Sequence, residues 1–140
     1  MKKTIKYILP LVCICMFVSC EKEAKPYKGE TQIAFALKTY TFNVNSATTN
    51  VTIPVQLITK SIQGAVNGSI SVNPDTNCAS AVTVPTSVTI DAGRFTTNLV
   101  IGVNHANLNA GNANKVILDL SSNIKVAGNY NKVTITLNKQ

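Results

Sequence analysis

The sequence predicts an all-β protein, a single antiparallel two-sheet sandwich of seven to eight strands over residues 32–140. Three observations predict it. Apolar residues recur at every second position in run after run, with Thr, Asn and Ser between them; this is the period of strands with one buried and one solvated face. Clusters of Asn, Gly, Ser, Pro and Asp punctuate the runs, supplying positive φ and side-chain hydrogen bonds where the chain must turn. Charged residues are only 14% of 140, well below the ~25% of an average soluble protein. That argues against a charged helical bundle, a coiled coil or a charged disordered tail.

The elements follow in order. Ile33, Phe35 and Leu37 open the series, then Tyr40, Phe42 and Val44, then Val51, Ile53, Val55 and Leu57. The first two runs make either one long bent strand through Ala36 or a kink at Lys38-Thr39 shared between sheets. Pro54 lacks an amide hydrogen, which predicts that its strand lies at an edge or a bulge. Further runs are Ile70 and Val72; Val82 and Val84; Val88 and Ile90; Leu99, Ile101 and Val103; Val116, Leu118 and Leu120; and Val133, Ile135 and Leu137. Breakers fall at 45–50, Asn67-Gly68, Asn73-Pro74-Asp75, Ala92-Gly93, Asn109-Ala110-Gly111-Asn112 and Gly128-Asn129. After Ile90, Asp91-Ala92-Gly93 predicts a hairpin reversal with positive φ at Gly93. The strands' apolar residues must form the core without help from disulfides, a workable number for a domain this size.

The N-terminus has a different character. Lys2, Lys3 and Lys6 precede an apolar stretch from Ile8 to Val18. As a helix it would span ~16 Å, about half a bilayer's hydrocarbon core, so it reads as the apolar region of a signal peptide. It ends in Phe17-Val18-Ser19-Cys20 and is followed by Glu21-Lys22-Glu23. That ending resembles the lipobox of bacterial lipoproteins, with Phe17 where Leu is usual. The resemblance implies a lipidated Cys20 as the mature N-terminus, and several acyl chains give stable anchoring at ~0.8 kcal/mol per buried CH₂. The acids just behind Cys20 resemble the surface-export signal of Bacteroidota lipoproteins. Residues 1–19 are thus read as signal peptide, 20–31 as lipidated Cys and flexible tether, and 32–140 as the sandwich. The expected address is the cell envelope, lipid-anchored in the outer membrane and facing the periplasm or the exterior.

Cleavage would remove Cys13 and Cys15, and lipidation would occupy Cys20, leaving Cys78 alone and no intramolecular disulfide possible. No His or Lys flanks Cys78 to depress its pKa, so it reads as a buried small hydrophobe. The formal charge of +7 also falls, to ten basic against six acidic residues. The lysines are scattered without interleaved aromatics, so no nucleic-acid partner is expected.

Ala79-Ser80-Ala81-Val82-Thr83-Val84-Pro85, Val88 to Arg94 and Thr97 to Ile101 resemble Calx-beta-type and related Bacteroidota lipoprotein sandwiches. The later strands Val116 to Leu120 and Val133 to Leu137 match the pattern. The resemblance implies an immunoglobulin-like sandwich. Calcium-exchanger members carry clustered loop acids, because a hard cation needs six to eight oxygens. Here Glu30, Asp75, Asp91 and Asp119 are dispersed, and the loop after Val103 is Asn104-His105-Ala106-Asn107. No metal site carries over, and no cofactor is expected.

Catalysis has little material. His105 is the sole imidazole and stands among Asn and Ala, without the positioned partners of a triad or zinc site. Asp91 belongs to a turn, and Asp119 between Leu118 and Leu120 faces solvent, which leaves no carboxylate pair for a glycosidase. The expectation is a non-enzyme. Asn-rich loops can hydrogen-bond sugar hydroxyls and Tyr can serve as a platform, which makes Tyr40, Tyr130, Asn104 and Asn107 the candidate ligand residues. The functional expectation is a binding or accessory module, in glycan uptake or adhesion. The alternative is a structural or assembly protein that binds another envelope protein by edge-strand pairing.

Overall fold

The computed structural model describes residues 28–61 and 64–140. The signal peptide, Cys20 and most of the tether lie outside them. Ten strands form in chain order: β1 (Gln32–Phe35), β2 (Thr39–Val44), β3 (Asn50–Ile58), β4 (Val66–Val72), β5 (Val82–Thr83), β6 (Ser87–Ile90), β7 (Thr96–Val103), β8 (Gly111–Ser122), β9 (Lys125–Val126) and β10 (Lys132–Lys139). Two short 3₁₀ turns, Ala79–Ala81 and His105–Asn107, are the helical elements among the described residues.

The strands form two five-stranded sheets, ordered β5-β7-β3-β1-β9 and β2-β10-β8-β4-β6. All odd-numbered strands lie in the first sheet and all even-numbered ones in the second. Every described link therefore crosses the sandwich, and no two consecutive strands pair. Most ladders are antiparallel, but β1 pairs with β9 and β2 with β10 in parallel.

The all-β sandwich agrees with the sequence reading, and the alternating residues supply its core. Ile33, Phe35, Ile53, Val55, Leu99 and Ile101 of the first sheet meet Ile90, Val116, Leu118, Ile135 and Leu137 of the second, all nearly or fully buried. Each such side chain contributes about 1.5–3 kcal/mol relative to exposure.

Several local expectations are corrected. Of the two readings of the first runs, the switch between sheets holds, with β1 and β2 in different sheets; Leu37, however, lies in the crossing and is exposed rather than in the core. Val72, at the end of β4, is also exposed. Asp91-Ala92-Gly93 does use positive φ at Gly93, +80°, and the Arg94 amide donates to the Asp91 carbonyl at 3.0 Å. It joins β6 to β7 across the two sheets, however, and makes no hairpin.

Asn67-Gly68 is not a breaker but part of β4. A Cβ on Gly68 would lie 2.8 Å from Leu120 Cδ1 and 3.1 Å from Ile33 Cδ1, so glycine is there for close approach. Gly111 and Asn112 likewise begin β8. Pro54 sits in the middle strand of its sheet. β1 leaves that sheet after Phe35, opposite Val55, and the Ala36 amide donates to the Pro54 carbonyl. The proline nitrogen turns to the same side, so its missing N–H falls where the β1–β3 ladder ends, beyond the Phe35–Val55 pair, and not inside the ladder.

Candidate functional site

β2 is an edge strand, and its sequence Thr39-Tyr40-Thr41-Phe42-Asn43-Val44 divides cleanly by period two. Val44 is fully buried, while Tyr40 and Phe42 pack against the core. The two rings stack with centroids 6.2 Å apart and planes 9° from parallel. The Tyr40 hydroxyl is buried with no hydrogen-bond partner among the described residues. Burial pushes this phenol above its ordinary pKa, and interaction with the Leu37 backbone partly offsets that.

Thr39, Thr41 and Asn43 are exposed on the other face. Across the ladder they stand beside Thr134, Thr136 and Asn138 in register, and Asn138 Nδ2 donates to Asn43 Oδ1 at 3.2 Å.

The backbone follows the same parity. The Thr134 amide donates to the Lys38 carbonyl at 2.9 Å, and the Gln140 amide to the Val44 carbonyl at 2.8 Å. A strand residue turns its N–H and C=O to one side, so the even-numbered residues of β2 face β10. Thr39, Thr41 and Asn43 then point three N–H and three C=O groups away from the sheet, with no strand beside them among the described residues.

Such an edge is a template for pairing unless it is shortened, charged, bulged or broken by proline. The other edges are protected: β5 and β9 are two residues each, and β6 is four residues preceded by Pro85. β2 has six residues without charge, proline or register shift.

The seam beside this edge, where the chain crosses between sheets, is partly apolar. Leu37 is 56% exposed and Tyr130 38%. Tyr130 is fixed by its backbone, since its amide donates to the Ala127 carbonyl at 2.8 Å and its carbonyl accepts from the Phe35 amide at 3.0 Å. Lys38 Nζ lies 5.4 Å from the Tyr130 ring centroid, within cation–π range.

The asparagine candidates lie elsewhere, at the end of the sandwich where β7 finishes. Asn104 Oδ1 accepts from the Ala106 amide at 3.1 Å, capping the 3₁₀ turn. Asn107 Nδ2 donates to the Ser80 carbonyl at 3.2 Å. Between them, His105 Nε2 is 3.0 Å from the Gln140 carbonyl oxygen, which can only accept in that contact. A shallow concavity of about 360 Å³ lies here, lined by Ser46, Thr48, Thr49, Asn104 and His105 among others. The four predicted ligand residues are therefore not gathered into one site. Tyr40 belongs to the core side of the β2 edge, Tyr130 is half-exposed on its seam, and both asparagines close turns.

Asn114, from the same Asn-rich stretch, is fully buried. Its Oδ1 accepts from the Asn109 amide at 2.9 Å, while its Nδ2 donates to the carbonyls of Asn109 at 2.8 Å and Leu137 at 3.2 Å. Cys78 is buried as expected. Its thiol donates weakly to the Lys115 carbonyl at 3.5 Å, and desolvation raises its pKa.

The acids stay dispersed. Asp119 pairs with Lys132 at 3.7 Å and accepts from Asn73 Nδ2 at 2.6 Å, while Glu30 pairs with Lys125 at 3.1 Å. Among the described residues no three His, Cys, Asp or Glu side chains come close enough to hold a metal ion.

No protein-family profile matches the sequence, and no curated protein matches it. Solved structures do. One is a candidate carbohydrate-binding protein from Bacteroides ovatus, 20% identical with a TM-score of 0.59 over 77% of this chain. The chain spans only 37% of that protein's length. Another is the apo form of the Calx CBD1 domain, 15% identical with a TM-score of 0.56, covering 80% of this chain and 99% of that domain. A third is the CupB2 chaperone of Pseudomonas aeruginosa, 12% identical with a TM-score of 0.50, covering 74% and 54% of the two chains. At these identities the likeness establishes a Calx-beta-like β-sandwich fold, and the functions of these proteins remain their own.

Proposed function

We propose that this chain is a non-enzymatic binding module of the bacterial cell envelope, anchored by lipid on Cys20, that engages a protein partner through the open edge of β2. The lipobox and charged tether support the anchor, and the fold is one that binding domains and a chaperone share. One observation carries the binding surface: β2 turns three N–H and three C=O groups outward along an uncharged six-residue strand. An added strand satisfies all of them, the geometry of β-augmentation.

The test is crosslinking in intact envelopes followed by purification of the full chain. A partner joined to wild type and to Thr52→Lys, on an exposed position of β3, should be lost with Thr41→Lys. A partner retained with Thr41→Lys argues against the edge. Incorporation of labelled fatty acid, abolished by Cys20→Ser, tests the anchor separately.

A glycan-uptake or adhesion role is the second reading. The half-exposed Tyr130 ring beside Leu37 favours it, as does the likeness to the Bacteroides ovatus protein. Retardation in polysaccharide gels that Tyr130→Ala abolishes would favour this reading over edge pairing.

A further inference from the structure

We propose that the strand taken up by β2 is the β2 of a second copy of this chain, paired antiparallel about a two-fold axis at Thr41. This rests on the edge reading above and names its occupant.

Hydrogen-bonding parity selects the register. Only Thr39, Thr41 and Asn43 present backbone groups outward, and in an antiparallel ladder facing residues of that kind exchange both of their bonds. With the axis on Thr41, Thr41 faces its own mate, while Thr39 faces Asn43 of the other copy and Asn43 faces Thr39. All three outward N–H and all three outward C=O groups of each strand are then used. A shift of one residue would flip the faces and set outward groups against inward ones.

Side chains agree with this register. The exposed face pairs Thr41 with Thr41 and Thr39 with Asn43, all uncharged and capable of hydrogen bonding. The inner face sets Tyr40 opposite Phe42 twice, in the closer non-hydrogen-bonded positions, where aromatic cross-strand pairs are favourable. Lys38, the charge nearest the strand, falls opposite Val44 and not its own mate, so like charges are kept apart. The exposed Leu37 and Tyr130 flank the same edge, giving the contact an apolar border. Two second sheets would become one continuous ten-stranded sheet, since each contributes five.

The test uses the full chain in its native envelope, with Thr41→Cys treated with an ethane-bridged bismaleimide and separated by mass. Cys78 is buried and stays unmodified in the folded chain. The expected result is a species of twice the chain mass containing only this chain, absent with Thr52→Cys. Thr39→Cys adds a check on register. Its two copies would stand four residues apart along the pair, about 13 Å, and should crosslink far less than Thr41→Cys.

Equal crosslinking at both positions, or none at Thr41→Cys, overturns the inference. If Thr41→Cys joins a different protein, self-pairing fails and the edge reading stands. If it joins nothing, self-pairing fails, since the mate would supply the second thiol, and the edge reading is then decided by the Thr41→Lys crosslinking above.

Discussion

Asn114 offers the sharpest test of how the loop end of the sandwich is held. Its amide is fully buried, and its hydrogen bonds include two to the backbone of Asn109 and one to the Leu137 carbonyl. Each bond is worth about 1 kcal/mol net, and a buried acceptor left bare costs about 1–3 kcal/mol. Asn114→Ala removes these bonds to Asn109 and Leu137 and strips Leu137 of this donor, so the expected loss is at least about 3 kcal/mol. At roughly 4 °C per kcal/mol for a domain of this size, the melting temperature should fall by at least about 12 °C.

Asn114→Asp sharpens the test. The carboxylate keeps the acceptor for the Asn109 amide but turns a second oxygen toward two carbonyls. Its folded pKa must rise above the ordinary ~3.9, so between the two values the folded state holds more protons than the unfolded one. Stability then falls as pH rises through that window and is regained below it. Thermal unfolding at pH 4 and pH 7 reads this directly, with a larger deficit against wild type at pH 7. An Asn114→Ala melt within about 2 °C of wild type, or an Asn114→Asp deficit independent of pH, would refute the reasoning.

Other substitutions probe the core and the edge separately. Tyr40→Phe removes a buried hydroxyl without a partner, so stability should hold or rise by up to about 1 kcal/mol; a clear loss in denaturant titration would mean the hydroxyl is bonded. Because burial raises this phenol's folded pKa above 10.0, its contribution is full below that pH and is lost as pH rises through the folded value. Tyr40→Phe should flatten the alkaline loss. Gly68→Val should cost about 1–3 kcal/mol, since even a Cβ reaches 2.8 Å from Leu120 Cδ1 and overpacking a core typically costs that much; an unchanged melt would show that Leu120 and Ile33 yield freely. Cys78 should resist thiol reagents in the folded chain and react fully in denaturant; rapid modification of the native chain would contradict its burial.

Strands were legible in the sequence because period two reports burial directly. Val51 to Leu57, Leu99 to Val103, Val116 to Leu120 and Val133 to Leu137 all point into the core. Connectivity was not legible, because positive φ at Gly93 serves an arch between sheets as well as it serves a hairpin. Pro54 illustrates the same limit: its tolerance depends on where β1 leaves the sheet, a fact of tertiary structure. Gly68 read as a breaker because close packing by Leu120 and Ile33 leaves no local signature.

The candidate site was only half legible. The alternation that places Val44 in the core also places Tyr40 there, so the pattern already argued against Tyr40 as an open platform. Asn104 and Asn107 belong to turn chemistry, while Asn114 shares the inward phase of Val116, Leu118 and Leu120, a local sign of its burial that its asparagine side chain concealed. That β2 would be a long open edge emerges only from the strand order.

The most direct measurement is amide hydrogen exchange across Thr39 to Val44, on the full chain in its native envelope and after purification and dilution. If β2 accepts a strand, Thr39, Thr41 and Asn43 should be protected in the envelope and exchange freely when dilute. Tyr40 and Phe42, bonded to β10, should stay protected in both states. Odd-numbered amides that exchange equally fast in the envelope and in dilution would contradict the account.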